Sequence, residues 1–158
     1  MDCERIKFAK KSLNRASKFQ QDPFIVFIIL WIGMNALYHD PEVGYEKQKV
    51  ENYFKKRKDL VFKFLSENKK DTNSIISFIN RVPQHETLRD FLKTKKRFLT
   101  LTNKGKSVQD FALFLYKIRN NMFHAVKTWD EEAEAKLLSL VNPILTKLMK
   151  KFLSNNSF

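Results

Sequence analysis

Arg119, Asn120 and His124 are the residues of this chain best suited to chemistry. They lie in the run YKIRNNMFHAVK, Tyr116 to Lys127. Arginine offers a planar fork of N–H donors that matches phosphate. Histidine exchanges a proton near neutral pH. Together the two can cleave a phosphodiester without a metal. The histidine serves the 2′-hydroxyl or the leaving oxygen, and the arginine stabilises the charged phosphorane. Asn120 precedes His124 by four residues and shares its face on a helix. At about 100° per residue, Arg119 and His124 point roughly 140° apart on an ideal helix. They converge only if the helix end deviates or two copies of the chain face each other. The plainer reading, commoner on spacing alone, makes Arg119 a cap and His124 a surface side chain.

One more polar residue stands out. Asn35 sits inside FIVFIILWIGMNALY, Phe24 to Tyr38, the most apolar run of the chain. An asparagine buried there is costly without partners. The run has fifteen residues, short of the ~20 a spanning helix needs, so it reads as the central buried helix of a soluble bundle with no membrane role.

Composition bounds the rest. The 158 residues suit one domain, 1–158. Only three glycines and four prolines are present, against a turn-rich β-fold or a Gly-rich phosphate loop. A hydrophobic fraction of 43% with 15 Phe supports a sizeable core. The single cysteine, Cys3, excludes a disulfide framework and a Cys-based zinc cage. The three histidines have no ligand spacing, so neither metal nor cofactor is expected. The net charge is +13, which attracts polyanions, with nucleic acid the first candidate and an anionic membrane surface the second. A basic surface that only keeps the protein in solution is the bland alternative.

The elements that must position these residues read as helices. Met1 to Phe19 is a basic helix. Asp22 and Pro23 are a good N-cap and first residue for a second helix to Tyr38. A third runs from about Tyr45 to Leu65, on apolar positions three and four apart. Residues 68–106 are the least regular and read as an insertion in the helical scaffold. Within them lie short helices at Ser74 to Asn80 and Glu86 to Lys95, then RFLTLT (Arg97 to Thr102), which alternates weakly as an extended segment would, and a turn at Asn103 to Gly105. Ser107-x-x-Asp110 resembles a capping box and opens a helix to about Phe123, with Phe111, Leu115, Ile118 and Met122 as its buried stripe. Thr128-x-x-Glu131 opens a last helix, from Trp129 or Asp130 to about Leu153.

Arg119-Asn120-x-x-x-His124, late in a helical domain and following the early helix Trp31 to Tyr38, resembles the HEPN superfamily (higher eukaryotes and prokaryotes nucleotide-binding). The resemblance covers residues 22–38 and 107–153. It implies an all-α up-and-down bundle, a homodimer, and metal-independent endoribonuclease activity from Arg-x4–6-His motifs that converge across the dimer interface. It implies toxin–antitoxin or other defence biology in the cytoplasm, and it gives Asn35 a supporting role. One branch is controlled by a minimal nucleotidyltransferase antitoxin that modifies a tyrosine two residues after the histidine. Val126 stands there in this chain, which puts that control in doubt.

The expected site therefore has His124 as general acid/base and Arg119 on the scissile phosphate, with Asn120 and Asn35 orienting them. Lys55, Lys56, Arg57 and Lys58, with Lys95, Lys96 and Arg97, are expected to hold the RNA backbone, contacts that position without reading sequence. Two alternatives stand beside this. One is a non-catalytic module of the same fold that binds RNA, a nucleotide or a partner protein. The other is a basic helical adaptor with no ligand.

Overall fold

The structure is a computed structural model and describes residues 2–82, 86–123 and 131–155. Among these residues the regular structure is all helix, with no strand, as an all-α fold requires. The helices are α1 (Cys3–Ala16), α2 (Pro23–Tyr38), α3 (Glu46–Lys56), α4 (Lys58–Glu67), α5 (Lys69–Arg81), α6 (Glu86–Thr94), α7 (Arg97–Thr100), α8 (Lys104–Phe123) and α9 (Glu131–Asn155). They group into two compact units, one from Met1–His39 with Ala135–Phe158 and one from Asp40–Glu134.

In the first unit, α2 starts as its sequence predicts. The Asp22 carboxylate accepts from the backbone N–H groups of Phe24 (3.1 Å) and Ile25 (3.3 Å), and Pro23 takes the first helical position. At the far end, the Arg5 guanidinium donates to the His39 carbonyl at 3.1 Å and ties α1 to the end of α2. The residues that α1 buries are all small: Ala9, Ser12 and Ala16. They recur at helical spacing and let the two backbones approach closely. Gly33 on α2 completes that approach. A Cβ there would lie 2.7 Å from the Ser12 Cβ and 2.8 Å from the Met149 methyl of α9. Asn142 of α9 donates to the Pro23 carbonyl at 2.9 Å.

The second unit departs from the expected elements in four places. The helix expected over 45–65 breaks at Arg57 (φ −118°, ψ 29°), whose guanidinium lies 3.7 Å over the Tyr53 ring. The stretch 68–106 is not irregular. It holds α5, α6 and α7, and all three pack within the unit. RFLTLT is not extended: residues 97–100 are α7, closed by Leu101 in the left-handed region (φ 54°), whose N–H donates to the Arg97 carbonyl at 3.1 Å. Finally, Asn103 caps α8, not Ser107. Its carboxamide oxygen accepts from the Lys106 N–H at 3.0 Å. Ser107 and Asp110 are instead buried within the first two turns of the helix.

Both residues face α7. The Asp110 carboxylate is fully buried and accepts from the Arg97 backbone N–H (3.1 Å), Nε (2.8 Å) and Nη2 (2.9 Å). The Ser107 hydroxyl donates to the Arg97 carbonyl at 2.9 Å. The next residue, Phe111, packs against Phe54 of α3, Phe64 of α4 and Phe98 of α7, at ring-centroid distances of 6.2, 6.4 and 5.7 Å. These lie within the range of favourable aromatic pairs.

Phe111→Ala is therefore expected to destabilise the protein by about 3–5 kcal/mol, read from denaturant melts; a loss under about 1 kcal/mol would contradict the central place given to this ring. In the first unit, Gly33→Ala is expected to lower stability despite alanine's better helix propensity. The loss should shrink in a Ser12→Gly background, because the two positions share one gap. Equal losses in both backgrounds would show that the gap is not shared.

Candidate functional site

Helices α3 and α8 run antiparallel, as two cross-pairs show. Glu46, at the start of α3, pairs with Arg119 near the end of α8 (Oε2 to Nη2, 3.1 Å). Glu51, further along α3, accepts from Gln109 near the start of α8 at 3.3 Å. At 1.5 Å per residue, Gln109 and Arg119 lie about 15 Å apart along α8.

At the first end, the Arg119 Nη1 donates to the Asn120 carboxamide oxygen at 3.0 Å, so the fork is held from two sides. The side chains of Arg119 and Glu46 are both about a quarter exposed, 27% and 23%. The pair is shielded but reachable from solvent. Asn121 accepts from the Thr87 hydroxyl of α6 at 3.1 Å, which fixes the same turn of α8 to a further helix. Arg119 and Asn120, consecutive in the chain, are thus bonded to each other. His124 lies outside the described residues, as do Val126 and Thr128.

At the other end, a groove of 520 Å³ opens between α3, the start of α4 and the start of α8. Its α3 wall is Gln48, Glu51, Asn52 and Lys55, and Lys58 stands where α4 begins. Gly105, Val108 and Gln109 of α8 complete it. The basic block at 55–58 is therefore divided. Lys55 and Lys58 face this groove, Lys56 is exposed outside it, and Arg57 is half-buried over Tyr53.

The other expected backbone contacts sit at the link from α6 to α7. Lys96 is exposed and Lys95 half-buried. The Arg97 guanidinium is occupied by Asp110. Those hydrogen bonds raise the Arg97 pKa further above its already high ordinary value. Asn35 belongs to the first unit and is not buried. It is exposed on α2, at helical spacing from the exposed Ile25, Ile28 and Ile32. The buried residues nearest it, Trp31, Met34, Leu37 and Tyr38, fill the other faces of the helix, which is why an apolar neighbourhood in the sequence does not bury it.

Three partners of the site carried no local signal. Glu46 reads in the sequence as an acidic residue suited to a helix start, and nothing near it announces Arg119. Thr87 and Gln109 likewise act across helices distant in the chain. Among the described residues, no cluster of three or more His, Cys, Asp or Glu could hold a metal ion, and no helix is long and apolar enough to cross a membrane.

No family model, curated protein or solved structure matches the chain.

Close to the groove, Asp59 of α4 accepts from the Lys104 ammonium at 2.9 Å. That hydrogen bond, and then the ammonium's charge, hold the Asp59 carboxyl below its usual pKa. A depressed carboxyl contributes stability above its unfolded pKa and loses it as pH falls through the folded one. Both groups are well exposed, so the contribution is small. The stability difference between the native protein and Asp59→Asn is expected to be positive at neutral pH and to vanish in acid, as read from melts across a pH series. A difference that grows in acid would reverse the assigned sign.

Proposed function

We propose that this protein is a metal-independent endoribonuclease in which Arg119 binds the scissile phosphate and His124 is the general acid/base. The observation that carries the reading is the fixing of Arg119. Glu46 and Asn120 hold its fork at the end of α8, five positions before His124 in the chain. A donor held in place before substrate arrives costs little reorganisation during reaction, which is the usual source of electrostatic stabilisation. The net charge of +13 and the lysines facing the groove at the other end of α8 supply attraction for an RNA backbone.

The resemblance to HEPN ribonucleases supplies the remaining parts of the reading: a homodimer, a cytoplasmic RNA substrate, and a role in defence or as the toxin of a toxin–antitoxin pair. A dimer also answers the roughly 140° between Arg119 and His124 on a regular helix, because each chain can then contribute to its partner's site. The exposed row Ile25, Ile28 and Ile32 on α2 is apolar surface that a second copy of the chain would cover. A second reading, a non-catalytic RNA-binding module, is favoured by the same Glu46–Arg119 pair taken as a structural tie between α3 and α8.

The test is cleavage of total RNA in excess EDTA. The nuclease reading expects cleavage that leaves 2′,3′-cyclic phosphate or 3′-phosphate ends, and a loss of about 10²-fold or more with His124→Ala. Products with 3′-hydroxyl ends, or activity abolished by the chelator, would contradict it. Binding without cleavage, together with a lowered melting temperature for Arg119→Ala, would establish the second reading instead.

A further inference from the structure

The groove at the start of α8 has a chemistry that backbone attraction alone does not require. Its volume of 520 Å³ is of the size that takes a small ligand. Lys55 and Lys58 are compact point charges suited to phosphate. The rest of the wall is different. Gln48, Asn52 and Gln109 present carboxamides, each with a donor and an acceptor in one plane. That is the pattern which pairs with the edge of a nucleobase. Glu51 is the one carboxylate in the lining, and an exocyclic amine is the group on a base that donates to it.

The floor is open. Val108 is buried, and Gly105 carries no side chain. Neither backbone nor packing demands glycine there. Its φ is not positive, and a Cβ would meet only the Asn103 oxygen, at an ordinary 3.8 Å. A side chain at this position would occupy groove space without disturbing the helix.

We infer that the groove between α3 and the start of α8 binds one nucleotide whose base carries an exocyclic amine, with its phosphate on Lys55 and Lys58 and its base edge on Gln48, Glu51, Asn52 and Gln109. As a nucleotide of a bound RNA strand, it gives the proposed nuclease a base-reading contact about 15 Å along α8 from Arg119. To that extent it rests on the RNA reading. A free nucleotide offers the same chemistry.

The experiment measures binding of the full chain to 2′-O-methyl hexamers of A, C or U by fluorescence anisotropy. Such strands cannot be cut through the 2′-hydroxyl, so binding is read apart from cleavage. The A and C hexamers are expected to bind about tenfold tighter than U, which has no exocyclic amine. Gly105→Leu should fill the groove and abolish that preference while leaving the melting temperature unchanged or raised. Gln109→Leu, at an exposed position, repeats the test without altering the floor. Lys55→Ala with Lys58→Ala should weaken all three hexamers alike and lower the slope of log affinity against log salt by about 1.4. Displacement of the A hexamer by millimolar AMP assigns the groove to free nucleotides, and no displacement assigns it to a strand. Equal affinity for the three hexamers, or a preference that survives Gly105→Leu and Gln109→Leu, overturns the inference. Cleavage of unmodified RNA is followed in parallel. Base preference without cleavage removes the nuclease reading and leaves the groove, whereas cleavage without base preference removes the groove and leaves the nuclease.

Discussion

The second unit depends on how one turn of α8 handles a buried charge. Asp110 has no exposed side-chain surface, yet it carries a carboxylate. A charge taken out of water is tolerated only with a partner and good hydrogen bonds. Arg97 provides both: two guanidinium donors in a fork, and its own backbone N–H. Ser107 accompanies the pair by donating to the Arg97 carbonyl. The result fixes where α7 begins and how it turns into α8. It also sets Phe98 beside Phe111 and Phe114, with ring centroids 5.7 and 5.2 Å away. Apolar packing supplies the bulk of the stability, and the ion pair with its hydrogen bonds satisfies the charge that this packing buries.

A helix fixed at that turn becomes a strut. Phe111 meets α3 and α4 as well as α7, and the two cross-pairs with α3 then fall at the ends of the contact. Glu46 meets Arg119 at one end, and Glu51 meets Gln109 at the other. The same rigid element thus carries the guanidinium of the proposed chemistry and one wall of the groove. Their separation follows from the rise of the helix and from nothing more flexible, which is the kind of support a site on a regular element has over one on a loop.

Much of this was legible where local physics is strong. Asp22-Pro23 marks the start of α2, and the spacing of Phe111, Leu115, Ile118 and Met122 marks the inner face of α8, although Met122 is only half-buried. Elsewhere the local pattern pointed wrongly for identifiable reasons. Apolar positions resume at Leu60 and Val61, seven residues after Tyr53 and Phe54 and so in helical register across the polar run Lys55 to Asp59, which hides the break at Arg57. RFLTLT alternates because Phe98 is needed in the core and Leu101 closes a turn, not because the segment is extended. Ser107 and Asp110 have the spacing of a cap, but their partner is Arg97. Arg119 and Asn120 stood out by residue type. Glu46, which holds Arg119 from α3, and Gln48, Glu51, Asn52 and Gln109 of the groove did not, since nothing local in the sequence marks them.

The central proposal is that α8 presents Arg119 and the groove to the same RNA strand. A single titration tests it most directly. The arginine Nε–Hε and the asparagine and glutamine side-chain amide resonances of the full-length protein are followed by NMR as 2′-O-methyl RNA is added. The account predicts that Arg119 and Asn120 at one end, and Gln109 and Asn52 at the other, shift together along one saturation curve. Shifts confined to residues outside α3 and α8, or two ends that saturate at different RNA concentrations, would contradict it.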